Sequence, residues 1–407
     1  MEDTKLKNIY FDYQATTPID KRVLDAMMPT MTNDFGNAGS KTHAFGWSAE
    51  KDVEQARQQV ANVINADPKE IIFTSGATES NNLAIKGVFR FNKGEKNHII
   101  TTKIEHECVL ESCKYLQLHE GADVTYLDVD REGLIDLQQL ENAITDKTVL
   151  VSIIAANNEI GTIQNIAEIG KICRKHGVYF HTDCAQAFGK IPLDVNEMNI
   201  DLMTMTSHKI YGPKGVGALY VRRKPRVGIE AIIHGGGQER GLRSGTLPVF
   251  LIVGFGKAAE LAQQEMASDG ERIKKFADQI IKEFTSIKEV YLNGSRTQRY
   301  FGCLNFTFCG IEGESLIMAL KNIAVSSGSA CTSAILEASY VIKAIGVDDV
   351  FSHSTIRIGL GRFTTQEEVD YLIKRVKEEV IHLRKMSPLW EMMENHVDLS
   401  KIKWLDK

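Results

Sequence analysis

Between about residues 50 and 225 the sequence alternates between two apolar periods, one helical and one of strand length. Glu50–Ile64 is amphipathic at helical period, and Ile71–Thr74 is a short apolar run. His98–Thr102, Val124–Leu127 and Val149–Ala155 have the length and β-branched content of buried strands. Ile166, Ile169 and Ile172 mark one helix face, with Gly177 where a C-cap belongs. Tyr179–Thr182, Leu202–Thr206 and Ala218–Val221 continue the series. Such alternation predicts an α/β fold whose mostly parallel, seven-stranded sheet is covered on both faces. After about residue 262 the pattern changes to charged helices (Glu271–Phe284, Glu314–Leu320, 366–385) mixed with strands (Val290–Leu292, Leu304–Phe308, Thr355–Gly359). That mixture predicts a smaller α+β domain at the C-terminal end.

Composition removes several function classes. The chain has 407 residues, 43% of them hydrophobic and 25% charged, so it can bury more than one core. Its net charge of −5 argues against direct nucleic-acid coating. No apolar run approaches the ~18 residues of a membrane span. The first residues show neither a signal peptide nor an Arg-rich transit peptide. The expected location is therefore bacterial cytoplasm, or the mitochondrion for a processed eukaryotic form. Seven scattered cysteines suit a reducing compartment. Without CxxC or HExxH, no resident metal is expected, and Cys303 and Cys309, among apolar neighbours, read as buried strand residues.

Ligands of open parallel sheets bind beyond the carboxyl ends of the strands. Three such ends stand out. Thr74-Ser75-Gly76-Ala77-Thr78 joins a strand to a helix with small residues, so backbone N–H groups and the helix dipole can hold a phosphate. Taken alone it is equally an ordinary N-cap turn. Asp183 ends the next informative strand, where a carboxylate needs a cation or several donors. Alone it is a loop Asp. Lys209 ends Leu202–Thr206 and is followed by Gly212-Pro213-Lys214-Gly215. Desolvation there would lower its pKa and make it a Schiff-base nucleophile, although most lysines are solvated surface groups. In this order the three suit a cofactor with a phosphate, a pyridine nitrogen and an aldehyde, which is pyridoxal 5′-phosphate.

Longer motifs then give a resemblance that spans nearly the whole chain. They are Asp12-Tyr13-Gln14-Ala15-Thr16-Thr17-Pro18, Ser75 to Asn81, Asn157-Asn158-Glu159-Ile160-Gly161, His208 to Gly215, Gly235 to Arg240, Arg243-Ser244-Gly245-Thr246 and Ser326 to Ser333. With Ser387-Pro388-Leu389-Trp390-Glu391-Met392-Met393 the chain resembles cysteine desulfurases of the iron–sulfur-cluster (IscS) type, in the α-proteobacterial and mitochondrial form. These are class V aminotransferases of PLP fold-type I. The resemblance implies a large PLP-binding domain over 16–262. A small domain would combine 1–15 with 263–407, carrying a mobile cysteine loop near 326–337 and a partner-binding tail near 387–407.

It also implies roles. Lys209 would hold the cofactor as a Schiff base and move protons at the substrate. Asp183 would pair with the pyridinium, and His106 would stack on the ring and transfer protons. Asn158 and Gln186 would bind the ring oxygen, and Asn158 also the substrate. Ala77, Thr78, Thr206 and His208 would hold the phosphate, with Thr246 reaching in from the second subunit of a homodimer. Arg357 would clamp the L-cysteine carboxylate through two parallel bonds. Cys331 would take the sulfur as a persulfide and pass it to a scaffold protein for iron–sulfur cluster assembly, or to other acceptors such as those of tRNA thiolation. Any metal bond would be a transient one from Cys331 to a partner's cluster. Small Ser/Gly neighbours suit a mobile arm for that cysteine.

Ala38 and Ala338 stand where the family usually has proline, which loosens two turns. Rival readings remain. Gly254-Phe255-Gly256-Lys257-Ala258-Ala259 fits a dinucleotide motif but lacks a following parallel strand, so its glycines read as close helix packing. Transamination or selenocysteine cleavage would use the same cofactor, and a catalytically silent scaffold would keep the fold alone.

Overall fold

The computed structural model describes residues 8–327 and 338–397. Its main sheet has seven strands, in the order Ile71–Thr74, Gly217–Val221, Leu202–Thr206, Tyr179–Asp183, Thr148–Ser152, His98–Thr102, Asp123–Leu127. The strands from Leu202–Thr206 to Asp123–Leu127 pair in parallel. Gly217–Val221 runs antiparallel to both its neighbours. The centre is apolar and β-branched, and Thr148–Ser152 is buried at every residue. Polar side chains inside this sheet satisfy one another. His181 bonds Ser152 Oγ at 2.8 Å and Thr204 Oγ1 at 3.1 Å across three adjacent strands. Burial pushes its imidazole down to about 3, so this histidine is a neutral strut.

Helices cover both faces. The expected C-cap appears at Gly177, which closes Ile166–His176 with φ 63°. Ala44–Val63 begins earlier than its apolar period suggests, because His43 accepts from Gly46 N–H as the cap. Where the sequence suggests a helix over Glu271–Phe284, a single longer helix spans Val249–Thr285. Gly270 lies inside it, in open space. One interior glycine costs about 1 kcal/mol, too little to break a run otherwise rich in Ala, Glu and Lys. Gly254 and Gly256 are packing glycines, as the motif analysis predicts. A Cβ at Gly254 would meet Met27 Sδ at 2.6 Å, and one at Gly256 would meet Ala56 Cα at 2.6 Å.

A second hydrophobic cluster gathers Ile9 and Phe11 with Ile273, Phe284, Phe306, Ile356 and Val380. It covers a three-stranded antiparallel sheet of Val290–Asn293, Cys303–Phe308 and Thr355–Gly359. Beside it Ile9–Tyr10 pairs in parallel with Ile323–Ala324. Cys303 and Cys309 are buried, as expected. The tail helix Pro388–Glu394 follows the helix Gln366–Arg384. Trp390 lies 3.8 Å from the Arg384 guanidinium and against Gly310, so it packs on its own chain. Trp404 lies outside the described residues. No described helix is long and apolar enough to cross a membrane.

Candidate active site

The strand ends converge on a cavity of about 620 Å³. Its wall contains Ala77, Thr78, His106, Asn158, Asp183, Gln186, Thr206, His208, Lys209 and Arg357. At one end the helix Ala77–Phe91 starts without a side-chain cap. Gly76 precedes it at φ 154° and ψ −176°, a backbone only glycine adopts readily. Gly217 on the neighbouring strand lets this turn come close, since a Cβ there would meet Gly76 Cα at 2.7 Å. The uncapped N–H groups therefore face the cavity, with the helix dipole behind them.

Asp183 is 3% exposed at its strand end. It accepts from Asn81 Nδ2 at 2.7 Å and from Ala185 N–H at 2.8 Å. His106 caps the helix Glu107–His119, its Nδ1 accepting from Cys108 N–H at 3.2 Å. That bond places the ring proton of a neutral His106 on Nε2. Lys209 Nζ donates to the Ala15 carbonyl at 2.8 Å and also to the Gln14 carbonyl. Arg357, on the strand Thr355–Gly359, donates to Asp12 Oδ1 at 2.8 Å and to the Asn158 carbonyl at 3.0 Å. Its buried Nε has no hydrogen-bond partner among the described residues.

Charge at the cavity is uneven. Burial, then Lys209 and Lys214, push His208 down to about 3, so its ring is neutral. Burial pushes Glu105, next to His106, up to about 8 despite bonds from Ile154 N–H and Thr102. Burial also works against ionisation of Glu79, but Arg243 at 2.8 Å and Ser75 outweigh it and hold this carboxyl below its ordinary range.

The description Aminotransferase class-V matches residues 9–372. The chain belongs to the class-V aminotransferase family. Within that family it is 58% identical to the cysteine desulfurase IscS of Rickettsia bellii, over 99% of both chains. It is 60% identical to the human cysteine desulfurase, over 98% of this chain and 87% of that one. Among solved structures, a NifS-like protein superposes with TM-score 0.87 at 38% identity, covering 92% of this chain and 100% of that one. The protein titled SspA in complex with cysteine gives TM-score 0.79 at 41% identity, over 88% of this chain and 100% of that one. As a class-V aminotransferase of the cysteine desulfurase branch, the chain is a pyridoxal-phosphate enzyme.

The residues present fit that cofactor. An uncapped helix N-terminus suits its phosphate, a buried carboxylate suits a pyridinium, and Lys209 stands beside them. Two predicted site residues are not in the cavity wall of the described chain. Thr246 is exposed, on a segment tied to the start of the helix Ala77–Phe91 by the Arg243–Glu79 pair. Cys331 lies outside the described residues. Asp12, Gln14 and Asn81 lie within the sequence motifs but carry no expected task, and Glu105 lies outside those motifs. Their partners, Arg357, Lys209, Asp183 and Ile154, lie far off in sequence, so only the fold exposes the pairing.

Proposed function

We propose that this cavity removes sulfur from L-cysteine, leaving L-alanine and a persulfide on Cys331. The observation that carries the reading is the convergence of Asp183, Lys209 and Arg357 on one cavity beside an uncapped helix start. Bound pyridoxal 5′-phosphate supplies an electron sink for charge developing at the substrate α carbon. Ala77, Thr78, Thr206 and His208 would hold its phosphate, and Asp183, held by Asn81, its pyridinium. His106 would cover the ring and carry a proton on Nε2, while Asn158 and Gln186 would meet the ring oxygen. Lys209 Nζ would take and return the proton at the α carbon.

Arg357 can offer Nε to a carboxylate at once. A parallel two-bond clamp requires the substrate to share or displace Asp12. In the overall change the substrate C–S bond breaks and an S–S bond forms on Cys331. The thiol proton ends on carbon, so only one sulfur atom changes hands. A transaminase would have no use for a thiol. Purified protein with cofactor should give equimolar alanine and sulfide from L-cysteine in the presence of a thiol reductant. Pyruvate in place of alanine would point to another lyase.

We further propose a homodimer whose sites are shared. Thr246 is exposed beside a cradle of phosphate type, and the adjacent rings of Phe35 and Phe45, at 69% and 53% exposure, offer apolar surface for a second copy to cover. Thr246→Ala is expected to weaken cofactor retention about ten-fold, for one lost charge-assisted hydrogen bond, with little change in melting temperature. Equilibrium dialysis reads the first, and a fully active monomer by light scattering would refute the shared site.

The iron–sulfur scaffold is the proposed sulfur acceptor, in the cytoplasm or the mitochondrial matrix. Trp390 is used internally, so the contact should lie beyond it. Deleting residues 396–407 should leave alanine formation intact and weaken scaffold binding by about 2 kcal/mol if Trp404 is an anchor. Unchanged affinity by calorimetry would make that segment irrelevant to docking.

A further inference from the structure

Lys190 has no task in that reading, yet it is wired to the centre of the site. It stands in the turn that follows the strand Tyr179–Asp183. Its ammonium donates to Gln186 Oε1 at 2.9 Å and lies 5.1 Å from the centre of the Tyr300 ring. Gln186 Nε2 in turn donates to the Gln14 carbonyl at 2.9 Å. That same carbonyl accepts from Lys209 Nζ. One amide and one carbonyl therefore connect the two lysines.

The chemistry of the connection is directional. An ammonium has only donors, so it can bind only the oxygen end of the Gln186 amide. With the oxygen fixed, the NH₂ end must point the other way. One of its N–H groups goes to Gln14, and the second remains for an acceptor in the cavity that Gln186 lines. Without Lys190 the amide could turn over and present its oxygen to an oxyanion, which would repel it.

Charge acts in the same direction. Lys190 is faced by Lys209 from the turn after Leu202–Thr206 and by Cys303 from the start of Cys303–Phe308. Tyr211, Tyr300, Asp269 and Arg362 surround the small cavity at its side. Burial, then the charge of Lys209, push the Lys190 amine down to about 7. Two neighbouring amines each disfavour the other's charge.

We propose that Lys190 is a positioning residue for this reaction: it locks the Gln186 amide with its donor end toward the cofactor's ring oxygen and lowers the proton affinity at Lys209 Nζ. The inference rests on the assignment of the cofactor to Lys209. Its test needs no substrate. The visible absorbance of the cofactor-loaded protein is titrated with pH, and the midpoint reports the proton at Lys209 Nζ.

Lys190→Met keeps the length and removes both donor and charge. Losing the neighbouring charge lets Lys209 Nζ hold its proton more tightly. Losing the oriented N–H makes the ring oxygen more basic, which tightens the same proton. Both raise the midpoint, by about one pH unit or ten-fold in the acid constant. Lys190→Arg should stay close to the parent. In a Gln186→Leu background, Lys190→Met should add less than it does alone, because the two act through one contact.

If Lys190→Met does not fold, Lys190→Gln keeps a donor, loses the charge and should still raise the midpoint. An unmoved midpoint in a folded variant, or the same rise in Lys190→Arg, overturns the role of Lys190. A parent protein whose band survives Lys209→Ala overturns the cofactor assignment itself, and this inference with it.

Discussion

Replacing Lys209 with Ala is expected to lower alanine formation from L-cysteine by roughly 10³-fold or more, the scale of a lost covalent anchor and proton carrier. Two neighbouring carbonyls, those of Gln14 and Ala15, hold its amine at the cavity wall. Lys190 contacts Gln186 instead, so it cannot simply take over. The variant should also lose the borohydride-sensitive absorbance of the loaded protein while retaining its fold, since Lys209 belongs to neither hydrophobic cluster. Ordinary turnover in Lys209→Ala would end the assignment.

Cys331→Ser is expected to bind the cofactor and to change its spectrum on adding cysteine, yet to release no alanine in steady state. The alternatives within the chain are poor nucleophiles. Burial, with Asp183 nearby, pushes the Cys108 thiol up to about 12. Cys184 is fully buried and raised further, so neither carries appreciable thiolate near neutrality. Rapid-quench measurement of alanine separates the outcomes. A parental rate in Cys331→Ser would move the nucleophile elsewhere, and Cys108, beside His106 and Asn81, would then be the first to test.

The sheet was readable because its strands are short, apolar and β-branched, and because each local period agrees with its place in the fold. The site was readable in part for the same reason. Asp183 and Lys209 follow strands directly, so an ordered reading of strand ends brings them together. What sequence alone left out is set by long-range pairing. Asn81 matters because its amide reaches Asp183, and Asp12 because it meets Arg357 on a strand 345 positions away. The continuous helix Val249–Thr285 was hidden by Gly270, a residue that lowers helix propensity without forbidding it. The turn at Asn37–Gly39 compensates for the missing proline with a bond from Gly39 N–H to Asn37 Oδ1 at 2.8 Å.

The pairing of Ile9–Tyr10 with Ile323–Ala324 has a consequence for biosynthesis. The strand Ile9–Tyr10 contributes Ile9 to a cluster that also needs Val376 and Val380, which leave the ribosome much later. At about 5–20 residues per second, roughly 20 to 70 s separate the two ends of that core. Meanwhile the residues of the main sheet have already emerged and can pack among themselves. The strand Ile9–Tyr10 stays without its strand partner until Ile323–Ala324 has emerged. Asp12, which accepts a hydrogen bond from Arg357, lies on the same segment. The cavity wall is therefore completed only once Arg357 has emerged, so a nascent chain stalled before residue 357 would carry an incomplete wall.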